Sequence, residues 1–274
     1  MNERLRKSFE QLRDENRGGF IPFITAGDPD LNTTGKLILE FARIGATVIE
    51  LGVPFSDPMA DGPTIQLSAE RALRRNVNVK QILDLVAEVR GSGCAVPIVL
   101  FSYFNPILRF GLENFVTEAA RSGVDGILIT DLVPEESGHF RLLLSENDLS
   151  LITLAAPTSS DERLQKIADA ASGFVYAVAR AGVTGVQNQV SGDAEILVKR
   201  LRKFTNLPIA VGFGISTRSQ ATEVCSYADA AVVGSAIVSE IARLSPLPDQ
   251  ISEDFVEKIG AFAHSLLPGK IETV

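Results

Sequence analysis

Eight short apolar runs rich in Val, Ile and Phe recur along this chain, separated by longer stretches in which apolar residues return at helical spacing. The runs occupy residues 20–25, 48–52, 98–103, 126–130, 150–154, 174–179, 209–212 and 230–234. Continuous apolar runs, rather than alternating ones, describe parallel strands buried on both faces, and parallel neighbours need a crossover between them. Helical spacing predicts those crossovers over residues 34–44, 79–90, 113–121 and 161–170, most closed by Gly or Asn, with an additional helix around residues 65–74. Eight such units could wind into an open sheet, but no GxGxxG follows any run, and the count is that of a closed (β/α)8 TIM barrel. The length of 274 residues suits a single barrel domain over residues 1–274, since such barrels run to about 250 residues.

Two further helices bracket the barrel. Leu5, Phe9 and Leu12 lie one helical turn apart among charges, which predicts an extra N-terminal helix laid on an apolar surface and ended by Gly18-Gly19. After Pro246 and Pro248, Ile251, Phe255, Ile259, Phe262 and Leu266 form a final helical stripe that completes the outer ring.

In a barrel of this kind, polar residues at strand C-termini and in the loops after them carry the chemistry. Glu50 falls inside the apolar run Val48-Ile49-Glu50-Leu51-Gly52. Facing the barrel interior, its carboxylate would cost several kcal/mol unless partnered or protonated; facing outward, it would pair with a helix arginine, and alternation alone does not choose the face. The loop that follows, Val53 to Pro63, holds Asp57 and Asp61 within reach of Glu50, an arrangement suited to general acid and base roles for either aspartate. Each aspartate is also a residue that simply forms turns. Three later loops have the glycine content of a phosphate cradle: Gly182-Val183-Thr184-Gly185, Gly212-Phe213-Gly214-Ile215-Ser216, and Gly234-Ser235 at a helix start.

Other chemistries are poorly supplied. His139 and His264 both fall on predicted helices, so no His-rich or Cys-rich metal site is expected. Every lysine falls on a predicted helix or terminus, which disfavours a Schiff base, and no GxSxG is present. The net charge of −8 argues against nucleic acid and anionic membranes as partners. Cys94 and Cys225 lack CxxC spacing and read as reduced thiols. With no apolar leader at the N-terminus and no run of roughly 18 apolar residues, the expected location is the cytoplasm.

The segments Phe20-Ile21-Pro22-Phe23-Ile24-Thr25-Ala26-Gly27-Asp28-Pro29 and Glu50-Leu51-Gly52-Val53-Pro54-Phe55-Ser56-Asp57-Pro58-Met59-Ala60-Asp61-Gly62-Pro63-Thr64-Ile65-Gln66 resemble the tryptophan synthase alpha chain family. Ser102-Tyr103-Phe104-Asn105-Pro106-Ile107, Asp131-Leu132-Val133-Pro134-Glu135-Glu136 and Gly234-Ser235-Ala236-Ile237-Val238 extend the likeness over essentially the whole chain. The resemblance implies retro-aldol cleavage of indole-3-glycerol phosphate to indole and glyceraldehyde 3-phosphate, with no metal and no cofactor in this chain. It implies that Glu50 is the acid–base residue and that Asp61 accepts from the indole N–H. By the same resemblance Phe23, Phe101, Leu128, Leu154, Tyr176 and Phe213 line the indole pocket, Tyr176 being close to Glu50. Gly185, Gly214, Gly234 and Ser235 hold the phosphate, and the loops of Asp61 and Thr184 act as lids over the substrate.

The implied partner is a pyridoxal-phosphate-containing beta chain in an α2β2 assembly, met near Asp57, Pro58 and Asn105. Ala179, where relatives often carry serine, and the amide-rich Gln187-Asn188-Gln189 depart from the family pattern and bear on lid closure. A stand-alone lyase that releases free indole and a non-catalytic regulatory subunit are the alternative readings; the paired Glu50 and Asp61 argue against the second.

Overall fold

The computed structural model describes residues 1–179, 192–212, 214–245 and 251–269. Eight strands, β1 Gly19–Thr25, β2 Ile49–Gly52, β3 Ile98–Ser102, β4 Gly126–Ile129, β5 Ser150–Ala155, β6 Val175–Val178, β7 Ile209–Gly212 and β8 Ala230–Val233, pair in chain order and in parallel. β8 pairs back onto β1, so the barrel is closed. Each strand lies within one residue of its apolar run, the expected TIM barrel.

Helix α1 (Glu3–Asp14) precedes β1 and α2 (Leu31–Arg43) follows it. Between β2 and β3 lie α3 (Pro63–Arg74) and α4 (Val79–Gly91); between β3 and β4 lie α5 (Phe104–Phe110) and α6 (Leu112–Ser122). After β4 to β7 come α7 (Gly138–Glu146), α8 (Asp161–Ala170), α9 (Gly192–Leu201) and α10 (Arg218–Cys225), and after β8 come α11 (Ser235–Leu244) and α12 (Phe255–Ser265). α12 packs against α2 and α11 and closes the outer ring.

Strand alternation divides the apolar side chains into two cores. Ile24, Ile49, Leu51, Leu100 and Ile127 point outward against the helices, whereas Ile21, Phe23, Val99, Phe101, Leu128, Ile152 and Tyr176 fill the barrel. Leu5, Phe9 and Leu12 of α1 belong to the inner core, Phe9 meeting Phe174 with ring centroids 5.7 Å apart. Burying each of the three stabilises the fold by about 1.5–3 kcal/mol. Asn2 and Arg4 fix α1 over the strand N-termini: the Asn2 N–H donates to Ser150 Oγ (2.8 Å), and Arg4 pairs with buried Asp125 at 2.9 Å. That end of the barrel interior is therefore plugged by α1, and the strand C-termini form the opposite end.

A four-fold repeat of side-chain hydrogen bonds sets the same rim. The N–H groups of Phe20, Ile98, Leu151 and Ile209, near the starts of the odd strands, donate to Thr47 Oγ1, Asp125 Oδ2, Ser172 Oγ and Asp229 Oδ2, each just ahead of the next even strand. The bonds measure 2.7–3.0 Å and satisfy strand-end donors that the ladder leaves over.

Some local expectations need correction. α1 ends at Asp14, not at Gly18-Gly19, and Asn16 takes the left-handed conformation (φ 47°). The two glycines answer to packing instead, since a Cβ on Gly18 would lie 2.5 Å from Cys225 Cβ and one on Gly19 would lie 2.8 Å from Ala230 Cβ. α2 starts at Leu31, three residues before the expected start, because Asp30 caps the N–H of Thr33 at 2.8 Å. The final stripe outruns its helix: Ile251 precedes α12 and Leu266 follows it. α5 is a helix beyond those expected from the sequence; Pro106 sits in its first turn, where the missing N–H has no cost. His139 and His264 lie on α7 and α12 as expected, whereas Lys203 lies in the turn after α9 and Lys270 lies outside the described residues.

Candidate active site

Glu50 stands in register with Phe23 of β1 and Val99 of β3, both inner-core residues, while its neighbours Ile49 and Leu51 point to the outer core. Side chains in register on parallel strands share a face, so the carboxyl enters the barrel. It is 1% exposed, and neither oxygen has a hydrogen-bond partner among the described residues. Burial alone pushes its pKa from the ordinary 4.5 up to about 8, because a charge without water or a partner is disfavoured. At neutral pH Glu50 is therefore chiefly a neutral acid.

Asp61 is half-buried in the loop between β2 and α3, and burial lifts its pKa to about 6, held from rising further by a hydrogen bond from Tyr103. Asp57, the alternative, is exposed and accepts a hydrogen bond from Ser56. The structure thus separates the two aspartates: Asp61 is turned toward the barrel and Asp57 toward solvent. Tyr103, just past β3, is the organiser of this loop. Its hydroxyl accepts from the Ala60 N–H at 2.8 Å, bonds Asp61 and Thr130, and its ring stacks against Phe55 at 5.2 Å. Burial, with the Asp61 charge next in size, drives its hydroxyl pKa upward, so it remains a donor. Gln66, in the first turn of α3, donates to the Asp61 carbonyl at 2.8 Å.

Phe23, Phe101, Leu128, Leu154 and Tyr176 come together around Glu50 in one inner cluster, Phe23 and Phe101 edge to face with centroids 5.4 Å apart. The Tyr176 hydroxyl is pushed well up by burial and then by the charges of Glu50 and Asp61, which places all three groups in one electrostatic neighbourhood. Two strand-end glycines make room for the rings. A Cβ on Gly52 would fall 2.6 Å from Phe23 Cζ, and one on Gly212 would fall 1.9 Å from Tyr176 Oη. Gly212, read from the sequence as a cradle residue, is thus required by packing.

Gly214, Gly234 and Ser235 lie at the same open end. Gly214 is exposed with φ 83°, a conformation that favours glycine. Gly234 opens α11 without a side-chain cap, and Ser235 is its exposed first residue. The first-turn N–H groups of α11 have no intrahelical acceptor and point outward with the positive end of the helix dipole, the setting for an anion. Thr184, Gly185 and Phe213 lie outside the described residues. No group of three or more His, Cys, Asp or Glu that could hold a metal occurs among the described residues.

The open end of this barrel thus brings together a buried acid, a second carboxyl and a cluster of aromatic rings. The sequence model described as tryptophan synthase alpha chain aligns with residues 9–266. The chain belongs to the tryptophan synthase alpha chain family. Its members are lyases that cleave indole-3-glycerol phosphate, and so is this chain.

The tryptophan synthase alpha chain of Caulobacter sp. (strain K31) is 46% identical over 270 residues, 98% of each chain. The crystal structure of the tryptophan synthase alpha subunit from Legionella pneumophila superposes with a TM-score of 0.86 at 33% identity, covering 97% of both chains. A chain of the tryptophan synthase complex from Pyrococcus furiosus does so with a TM-score of 0.82 at 37% identity, covering 91% of this chain and 98% of that one.

Tyr103, Gln66 and Gly52 contribute to this candidate site without having been singled out from the sequence. Tyr103 carried a usable signal, a hydroxyl-bearing aromatic at the C-terminal end of an inward strand. Gly52 and Gln66 carried none, because their roles depend on Phe23 and on a turn of α3 distant or unmarked in the sequence.

Proposed function

We propose that Glu50 and Asp61 divide the acid–base work of the cleavage, with Phe23, Phe101, Leu128, Leu154, Tyr176 and Phe213 around the indole ring. In this reading Gly185, Gly214, Gly234 and Ser235 hold the phosphate, with Thr184 in a lid above it. The observation that carries the reading is the Glu50 carboxyl, enclosed in the barrel with no hydrogen-bond partner among the described residues and held near pKa 8. Glu50 gives its proton to indole C3, breaking the aromaticity of the ring. Asp61, ionised above about pH 6, accepts a hydrogen bond from the indole N–H and steadies the positive charge that develops there. The Glu50 carboxylate then takes the proton of the side-chain hydroxyl. The carbon–carbon bond breaks, its electron pair restores the aromatic ring, and the hydroxyl carbon becomes the aldehyde of glyceraldehyde 3-phosphate. Glu50 ends protonated, as it began, and every proton is accounted for within the chain.

The chain acts in this reading as one cytoplasmic domain that delivers indole to a beta chain in an α2β2 assembly, where pyridoxal phosphate is bound by the partner and not here. The likeness to a chain of the Pyrococcus furiosus complex supports that partnership, as do exposed Met59 and Leu108 beside the open end of the barrel. Titrating a tryptophan synthase beta chain into the purified chain while following indole-3-glycerol phosphate consumption tests it. The expected result is a severalfold rise that saturates at one beta chain per alpha chain; brisk turnover indifferent to the beta chain would make this a stand-alone lyase.

A further inference from the structure

We propose that α3, held in place by Arg71 and Asp28, sets the position of the Asp61 carboxylate, so that Arg71 and Asp28 are positioning residues for the cleavage. The inference rests on the acid–base reading of Asp61. α3 is an insertion into the βα repeat, and it begins at Pro63, two residues after Asp61. The backbone of Asp61 is tied to its first turn and to the loop before it: Gln66 Nε2 donates to the Asp61 carbonyl (2.8 Å), and the Asp61 N–H donates to the Pro58 carbonyl (3.1 Å). Wherever the start of α3 lies, the Asp61 carboxylate follows.

The N-cap of α3 is Gly62, with no side-chain cap of its own, so the helix is anchored from elsewhere. Arg71 lays Nε and Nη2 on Asp28 Oδ1 and Oδ2 at 2.7 and 2.8 Å, a two-bond fork onto a carboxylate that is 1% exposed in the connection from β1 to α2. One turn earlier, buried Ser68 shares a 2.6 Å hydrogen bond with Thr25 at the end of β1, while donating to the Ile65 carbonyl at 2.7 Å. The Ser68 tie runs to the end of β1 and the Arg71 tie to the connection just after it, and β1 pairs with the strand carrying Glu50. α3 also packs against α11, whose N-terminus holds the phosphate in the reading above. The ties thus relate Asp61 to Glu50 and to the phosphate through one rigid helix. A fork onto a buried carboxylate contributes more to a single geometry than to net stability, because its Coulomb gain is largely offset by the desolvation of Asp28.

The test is Arg71→Lys, which keeps the charge and loses the fork, with Ser68→Ala as the milder second variant should the first fold poorly. In each full-length variant kcat, KM, thermal stability and the pH dependence of kcat/KM are measured with indole-3-glycerol phosphate. Among the described residues, the titratable groups facing Asp61 are Tyr103 at the end of β3 and Tyr176 on β6, the latter also feeling Glu50 of β2. Arg71→Lys is expected to lower kcat at least about tenfold, since small misplacements of a reacting group have effects of that size. It is also expected to move the acid limb of the profile to lower pH as Asp61 gains water, and to leave the alkaline limb of Glu50 unmoved; Ser68→Ala shifts both quantities in the same direction by less. A folded variant with both limbs where the wild type has them, and kcat unchanged, overturns the proposal. If the acid limb survives in Asp61→Asn, it is the reading of Asp61 that fails, and this inference with it.

Discussion

Replacing Glu50 by methionine should make the protein more stable and inactive, with a gain that depends on pH in a prescribed way. The buried carboxyl titrates at about 8 in the fold, against an ordinary 4.5. Below the lower value both folded and unfolded chains hold Glu50 neutral, and it adds no pH-dependent cost. Between the two values the unfolded chain ionises while the folded chain does not, so stability falls as pH rises, and above the upper value the loss is complete. At about 1.36 kcal/mol per pH unit, the loss amounts to about 3 kcal/mol at pH 7. Methionine has similar bulk and no group to ionise, and it leaves no oxygen without a partner. For a chain of this size the gain corresponds to a rise in Tm of roughly 5–10 °C. The assay is thermal unfolding of wild type and Glu50→Met across the pH range from about 5 to about 9, where the difference should be small at the acid end, grow through neutrality and level off near the folded pKa. A difference that is constant with pH, or one that shrinks as pH rises, would refute the claim that Glu50 is buried as a neutral acid.

Asp61→Asn should lower kcat roughly 10²-fold while raising Tm at neutral pH, because burial lifts the Asp61 pKa to about 6 and the amide removes the cost of ionising it; indole release and thermal melts on one preparation check both. The wild-type kcat/KM profile should be a bell with limbs near 6 and 8. Activity falls below the first limb as Asp61 protonates and above the second as Glu50 loses the proton it donates, and a pH–rate series in constant ionic strength reads both. Gly234→Asp should raise KM for indole-3-glycerol phosphate with kcat less affected, whereas Gly234→Ala should be nearly silent, because a Cβ there meets Phe23 at an ordinary 3.4 Å. Gly212→Ala should destabilise the fold by about 1–3 kcal/mol through overpacking against Tyr176, read by urea unfolding, and depress activity as the ring is displaced.

The barrel was legible because its signal is repeated eight times, and each apolar run is bounded by a loop or a glycine. The face of Glu50 was not, since a strand buried on both sides has no polar alternation to read; pairing with Phe23 and Val99 decides it. Asp57 and Asp61 were equivalent as letters and differ only in burial, which depends on how Tyr103 holds the loop. Gly18-Gly19 reads in the sequence as a helix stop, Gly52 as the end of an apolar run and Gly212 as a cradle residue, yet all four are small because another side chain occupies the space. Such reasons are long-range contacts, and no local pattern carries them. The fork of Arg71 on Asp28 spans 43 residues and is invisible in the sequence for the same reason.

The most direct test of the whole account is indole release from indole-3-glycerol phosphate by the purified chain and by its Glu50→Gln form, without metal or added cofactor. The account predicts indole and glyceraldehyde 3-phosphate in equal amounts from the wild type, and a rate lower by roughly 10²-fold or more from a folded Glu50→Gln protein. Comparable rates from the two proteins would contradict it.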